Sequence, residues 1–365
     1  MRALEPYRDP DTVHRLAAAI AARVTRPWAI MEVCGGQTHA IVRHGLDQLL
    51  PARVTLLHGP GCPVCVTPAA VLDTAIALAR LPGVVLCTFG DMLRVPGSST
   101  DLQHARADGA DVRVVFGPLD ALALARALPD RQVVFLAVGF ETTAPAVAVA
   151  VSAAQTEGRA NFSVLVAHVL VPPALTALAS DPECRIDGFL AAGHVCAVMG
   201  TRAYAPLAAR WHKPIVVTGF EPVDLLLGVY HSVVQLEEGR AEVENAYGRA
   251  VRDDGNGSAI ALLDEVFVAV DSPWRGLGTL PLSGLALRPA YAAHDARRIF
   301  GLVDAAAIDD TRCQSGLVLQ GRLTPPECPH FGKSCTPETP LGATMVSSEG
   351  ACAAYFRYRR RGQTA

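Results

Sequence analysis

The chain has 365 residues, half of them hydrophobic and 18% charged, with a formal net charge of −3. That length supports two or three domains with substantial cores, and the near-neutral charge without a basic face argues against nucleic acid or an anionic membrane surface as partners. No apolar run reaches the ~18 residues of a membrane span, and Met1 to Pro6 lacks the apolar core of a signal peptide, so a soluble cytoplasmic protein is expected.

Asp9 or Asp11 can cap a helix running to about Arg23, with Leu16, Ile20 and Val24 on one stripe. Short apolar runs at 28–33, 54–57, 84–88, 112–116 and 133–138 then alternate with alanine-rich helical patterns. Near-continuous Val, Ile and Leu in strands that alternate with helices indicate a parallel sheet covered on both faces. A first α/β domain is expected over 1–158. The pattern restarts at 162–166, 186–190 and 215–217, which predicts a second, smaller α/β domain of similar build over 159–237. Gly139-Phe140-Glu141 is echoed by Gly219-Phe220-Glu221, and Thr88-Phe89-Gly90-Asp91 more loosely by Ala191-Ala192-Gly193-His194.

The remainder, 238–365, is expected to form a third domain, on which the N-terminal helix is free to pack. It opens with a charged helical stretch over 237–251, a turn at Asp253 to Gly257 and a helix over 258–266. Beyond Asp304, proline, glycine and cysteine dominate, so this loop-rich segment needs a staple rather than a core. The basic run from Arg357 to Arg361 reads as a solvated tail.

Ten cysteines in a reducing compartment point to metal or redox work. The last four are spaced Cys313-x14-Cys328-x6-Cys335-x16-Cys352. Four thiolates suit a [4Fe-4S] cluster or a tetrahedral zinc, and the wide spacing without tight knuckles favours the cluster over zinc or unliganded thiols. Cys62-Pro63-Val64-Cys65 lies in a strand-to-helix turn, where a helix N-terminus lowers thiol pKa. It reads as a reversible dithiol, as two metal ligands, or as thiols that merely face a turn. Cys34, followed by Gly35-Gly36-Gln37-Thr38-His39, sits at the carboxyl end of the first strand, on the same rim. It reads as a nucleophile with His39 as base, as a soft ligand for Fe, Zn or Cu, or as a buried structural thiol. Glu141, with Thr142 and Thr143, forms either a polar wall for a ligand or partner or a helix cap. Cys87 reads as core, Cys184 and Cys196 have no assigned role, and His58 reads as an ordinary hydrogen-bonded histidine; His168 and His194, near the second domain's strand ends, either face the cleft or, the favoured reading, are structural. No Gly-x-Gly-x-x-Gly turn, phosphate-binding loop or Gly-x-Ser-x-Gly elbow occurs.

Taken together, Cys34-Gly-Gly-Gln-Thr-His39, Gly59-Pro-Gly-Cys-Pro-Val-Cys65, Gly90-Asp-Met-Leu-Arg-Val-Pro-Gly97, Gly139-Phe-Glu-Thr-Thr143 and the terminal cysteine spacing resemble the HypD family of [NiFe]-hydrogenase maturation factors. The resemblance spans essentially the whole chain, with Cys196 as a departure where a serine-like residue is expected. It implies two α/β domains with a C-terminal Fe-S domain, and a redox-active scaffold rather than an enzyme of ordinary turnover. On such scaffolds an iron carrying two cyanides and one carbonyl, Fe(CN)2CO, is assembled transiently with a HypC-type small chaperone and a HypE-type donor that carries cyanide as a thiocyanate. By the same resemblance Cys34 is the iron ligand, Cys62 and Cys65 are the redox pair, and Cys313, Cys328, Cys335 and Cys352 hold the [4Fe-4S] cluster. His39 and Glu141 are the candidate polar groups of the same site. Two other classes stay open: a cluster-dependent disulfide reductase working through Cys62 and Cys65, and a zinc-stabilised binding protein.

Overall fold

Strands made of consecutive Val, Ile and Leu bury all their side chains only inside a parallel sheet covered on both faces. Two such sheets form here. The computed structural model describes residues 2–302 and 310–359. One sheet has the order β2-β1-β7-β8-β9, from β1 (Trp28–Glu32), β2 (Val54–His58), β7 (Gly188–Ala192), β8 (Ile215–Thr218) and β9 (Val243–Asn245). The other has the order β4-β3-β5-β6, from β3 (Val84–Thr88), β4 (Val112–Val114), β5 (Gln132–Gly139) and β6 (Phe162–His168). Every neighbouring pair in both sheets is parallel. The α/β class with two parallel sheets is the one expected.

The sheets do not follow the expected division at 158. β1 and β2 pair with β7–β9, and only β3–β6 form the other sheet, so the chain leaves the first sheet after β2 and returns to it at β7. Apolar runs of one composition suit either sheet, and the local pattern does not choose the partner. A second difference lies in 237–251. The helix Pro222–Glu237 stops there, and Val243–Asn245 adds a parallel edge strand to β8 instead of continuing a charged helix.

The helix Pro10–Arg23 is capped by Asp9, whose carboxylate accepts from the Thr12 N–H at 2.9 Å. It packs on the helix Pro222–Glu237, not on the C-terminal segment, with Ile20 and Val24 sharing a core with Trp28, Leu190 and Val229. An antiparallel hairpin, β10 (Phe267–Trp274) and β11 (Gly278–Leu287), leans on the end of β6, where the Leu170 N–H donates to the Ser283 carbonyl at 2.8 Å. After residue 310 the elements are short, and a small cluster of Cys335, Met345 and Cys352 is packed by Phe331, Leu341 and Phe356. The expected start of this loop-rich segment, Asp304, lies outside the described residues. Its last helix, Ala351–Tyr358, packs against the helix Gly35–His44. Arg359 pairs with Asp47 instead of trailing as a solvated tail, and Arg360 and Arg361 are outside the described residues. Among the described residues no helix is long and apolar enough to cross a membrane.

Phe135 on β5 is fully buried in the second sheet's core. Phe135→Ala should cost about 3–5 kcal/mol in chemical denaturation, because the ring's burial is lost and a cavity remains.

Candidate functional site

After β1 the chain moves to β2 on one side, while β7 occupies the other. The carboxyl ends of β1 and β7 therefore flank a topological switch point, the crevice where open α/β sheets bind ligands. Cys34 follows β1 as N-cap of the helix Gly35–His44, and His194 follows β7 in the first turn of the helix Gly193–Met199. Cys34 Sγ lies 3.6 Å from His194 Nδ1. Burial pushes the Cys34 thiol well above its ordinary value, with Glu32 and Glu349 adding to it, and burial pulls the His194 imidazole down to about 4. At neutral pH the two face each other uncharged.

The turn is held by Glu32, the last residue of β1 and fully buried. One of its oxygens accepts from the Cys34 N–H at 2.9 Å, while the other meets the Thr38 hydroxyl and His58 Nδ1, the latter at 2.7 Å. His58 Nε2 in turn lies 3.2 Å from the Tyr355 hydroxyl on the last helix. Gln37, also fully buried, donates to the carbonyls of Ala191 and Thr218 at 3.2 Å each, tying the Cys34 helix to the ends of β7 and β8.

The Cys62 turn lies directly against the Cys34 turn. The Gly35 N–H donates to the Gly61 carbonyl at 2.8 Å, and a side chain at Gly61 would overlap the backbone of Val33 and Cys34. Cys62 and Cys65 form a disulfide, 3% and 0% exposed. Their short helix, Pro63–Val66, packs on the turn Ala343–Met345. Thr344 and Met345 of that turn line a cavity together with Cys313, Cys328, Cys335 and Cys352. All four thiols thus surround one space, with Val318, Phe331 and Leu341 as apolar wall. The Leu341 N–H donates to Cys335 Sγ at 3.4 Å, the Thr344 hydroxyl to Cys352 Sγ at 3.2 Å, and Ser315 Oγ is 3.3 Å from Cys313 Sγ. Burial pushes the Cys352 thiol up to about 12. Four thiols around one space, two of them accepting a hydrogen bond, fit a cluster whose potential is tuned by hydrogen bonds to its sulfurs. Among the described residues no three His, Cys, Asp or Glu side chains converge as around a single ion.

Of the two remaining expected site residues, His39 lies elsewhere, while Glu141 reaches the core around Cys34 from the other sheet, near Cys196 and Tyr204. His39 turns away from Cys34, with Nδ1 2.9 Å from the Ser348 carbonyl and Nε2 3.3 Å from the Tyr358 hydroxyl. One helical turn in sequence carries it to the face that meets the last helix, so the imidazole beside Cys34 is His194. Glu141 belongs to the other sheet, after β5, where one oxygen accepts from the Val171 N–H at 2.9 Å and the other has no protein partner. Its burial pushes the carboxyl up to about 7. Thr143 occupies the N-cap position of the helix Ala144–Thr156 without a capping bond; its hydroxyl is 3.1 Å from His168 Nε2. Reading along the chain missed Glu32 and Gln37. An acidic residue inside the apolar run Trp28 to Val33 was the available signal for the first.

Gly61→Ala should cost about 1–3 kcal/mol and displace the Cys34 turn, seen as a lower midpoint in chemical denaturation together with faster alkylation of Cys34 by peptide mapping. Glu141 gives a pH test. Its pKa is raised on folding, so the folded chain keeps a proton that the unfolded chain loses, and stability falls as pH rises from about 4.5 through about 7. Glu141→Gln should flatten the fall in melting temperature across that window.

The family model HypD, described as "Hydrogenase formation hypA family", matches residues 11–359. The hydrogenase maturation factor HypD of Azotobacter vinelandii is 50% identical, over 100% of this chain and 98% of the relative. That of Rhodobacter capsulatus is 49% identical over 98% of each chain, and that of Escherichia coli K12 is 47% identical over 99% of each. With these matches running through both sheets and the three cysteine groups, the chain belongs to the HypD family of hydrogenase maturation factors.

Proposed function

We propose that the chain is the scaffold on which iron receives two cyanides and one carbonyl before delivery to a hydrogenase, working with a HypC-type chaperone and a HypE-type cyanide donor. The observation that carries this reading is the adjacency of Cys34, its His194 neighbour and the Cys62–Cys65 disulfide in one wall of a switch-point crevice. Thiolate is a soft donor suited to iron that also binds cyanide and carbonyl. Cys34 is held as a thiol, so it must lose a proton when iron, the substrate, arrives; His194 Nδ1 at 3.6 Å accepts it.

In its reduced form the Cys62–Cys65 pair supplies two electrons and two protons as the disulfide closes. The S–C bond of a thiocyanate takes the electrons and breaks. One proton goes to the donor's sulfur and the other leaves with cyanide. The pair must then be reduced again. Cys313, Cys328, Cys335 and Cys352 would hold a [4Fe-4S] cluster, which supplies single electrons when bound. The turn Ala343–Met345 touches both the disulfide helix and that cavity, which supports the pairing of the two functions. The alternative, reduction of a protein disulfide, is disfavoured because Cys62 and Cys65 are too buried for either thiolate to attack another protein's disulfide in line.

Cys34→Ala should abolish the cyanide and carbonyl infrared bands of the complex purified anaerobically with its partners, while the visible absorbance of the cluster persists. Full band intensity would remove Cys34 from the iron. Replacing Cys328 and Cys335 together by Ala should bleach that absorbance, and full iron content in this variant would refute the cluster assignment.

A further inference from the structure

His194 stands beside Cys34, yet among the described residues no hydrogen bond holds its other ring nitrogen, Nε2, whereas functional histidines usually have that atom fixed by a carboxylate or carbonyl. Something else sets the plane of the ring. The imidazole stacks on Phe220, ring centroids 5.3 Å apart with planes 32° from parallel. Phe220 meets the ring of Tyr247 edge-on at 6.3 Å and 88°. Tyr247 follows β9, one of three strands that sequence reading missed, and lies against the two residues that precede the stacked pair: side chains at Gly193 or Gly219 would collide with its ring.

Tyr247 is itself clamped. Arg249 lies over its ring at 4.5 Å and over that of Tyr7 at 3.6 Å. The same guanidinium makes paired bonds of 2.7 and 2.6 Å to Asp224, which is 2% exposed. A bidentate bond to a buried carboxylate fixes a guanidinium far better than an exposed ion pair does. The stack from Tyr7 through Arg249, Tyr247 and Phe220 to His194 is therefore anchored at its far end.

We propose that Tyr247, wedged between Gly193 and Gly219 and gripped by Arg249, is the positioning residue that holds His194 Nδ1 toward Cys34. This rests on the scaffold reading, in which Cys34 and its His194 neighbour together face the incoming iron. Its action is through the ring face, since a contact with two glycines and a guanidinium needs the aromatic plane and not the hydroxyl.

The test uses the full-length protein as purified anaerobically, with its own cluster but without its partners or the iron they deliver, labelled with nitrogen-15 at histidine, with the His194 ring signals assigned by their loss in His194→Gln. The wild type should show one set of His194 ring-nitrogen resonances, shifted at Nδ1 by Cys34→Ala. Tyr247→Leu should lose that single set to averaging between ring orientations, and Tyr247→Phe should keep it. A wild-type His194 spectrum in Tyr247→Leu overturns the proposal, as does Tyr247→Phe behaving like Tyr247→Leu. If Tyr247→Leu does not fold, Arg249→Gln should still broaden the His194 signals, and unchanged signals there overturn the proposal equally. Because no iron is delivered to Cys34, a failed scaffold reading shows in the infrared bands and leaves this measurement unaffected.

Discussion

The carboxylate of Glu32 lies out of reach of water, and an unpaired charge there would cost several kcal/mol. It persists because three donors close on it: the Cys34 N–H, the Thr38 hydroxyl and His58. Each donor belongs to a different structural decision. The first fixes the Cys34 turn, the second the first turn of the following helix, and the third the end of β2. Through Tyr355 the same carboxylate reaches the last helix of the chain. Loss of any one partner leaves a buried charge short of a donor, so these elements are bound to a common geometry.

Around that centre, close approach replaces large side chains. Gly61 lets the disulfide turn lie on the Cys34 backbone, and Gly193 and Gly219 admit the ring of Tyr247. The resulting line runs from the crevice at β1 and β7, through the Cys62–Cys65 pair, to the turn Ala343–Met345 and the four-cysteine cavity. A thiol, a disulfide and a four-thiol cavity are thus linked through turns in direct contact. Glu141 approaches this core from the other sheet as a buried acid beside Cys196 and Tyr204, with one oxygen unpartnered among the described residues.

Much of this was legible residue by residue. The α/β class, eight of the strands and the helix capped by Asp9 follow from apolar run length and turn chemistry. The reactive cysteines could be named from glycine context and spacing, since residue type limits what a thiol-rich turn can do. His39 misled because sequence distance along a helix says nothing about which face meets a partner, and its imidazole serves the last helix. His194, 160 positions from Cys34 in the chain, stood at a strand end open to the cleft, but nothing local tied it to Cys34 or raised that reading above a structural one.

What the amino-acid order determined by itself was local: which stretches are strands, where they turn, and which turns hold sulfur. Tertiary structure alone decided that β1 and β2 join β7–β9, that β9 exists, and that His194 and Tyr247 stand at the crevice. The reason is physical. Strand and helix formation depend on neighbours a few residues apart, whereas the choice between two equally apolar sheets depends on packing of whole faces. That packing is a sum over residues far apart in the chain, and no single window contains it.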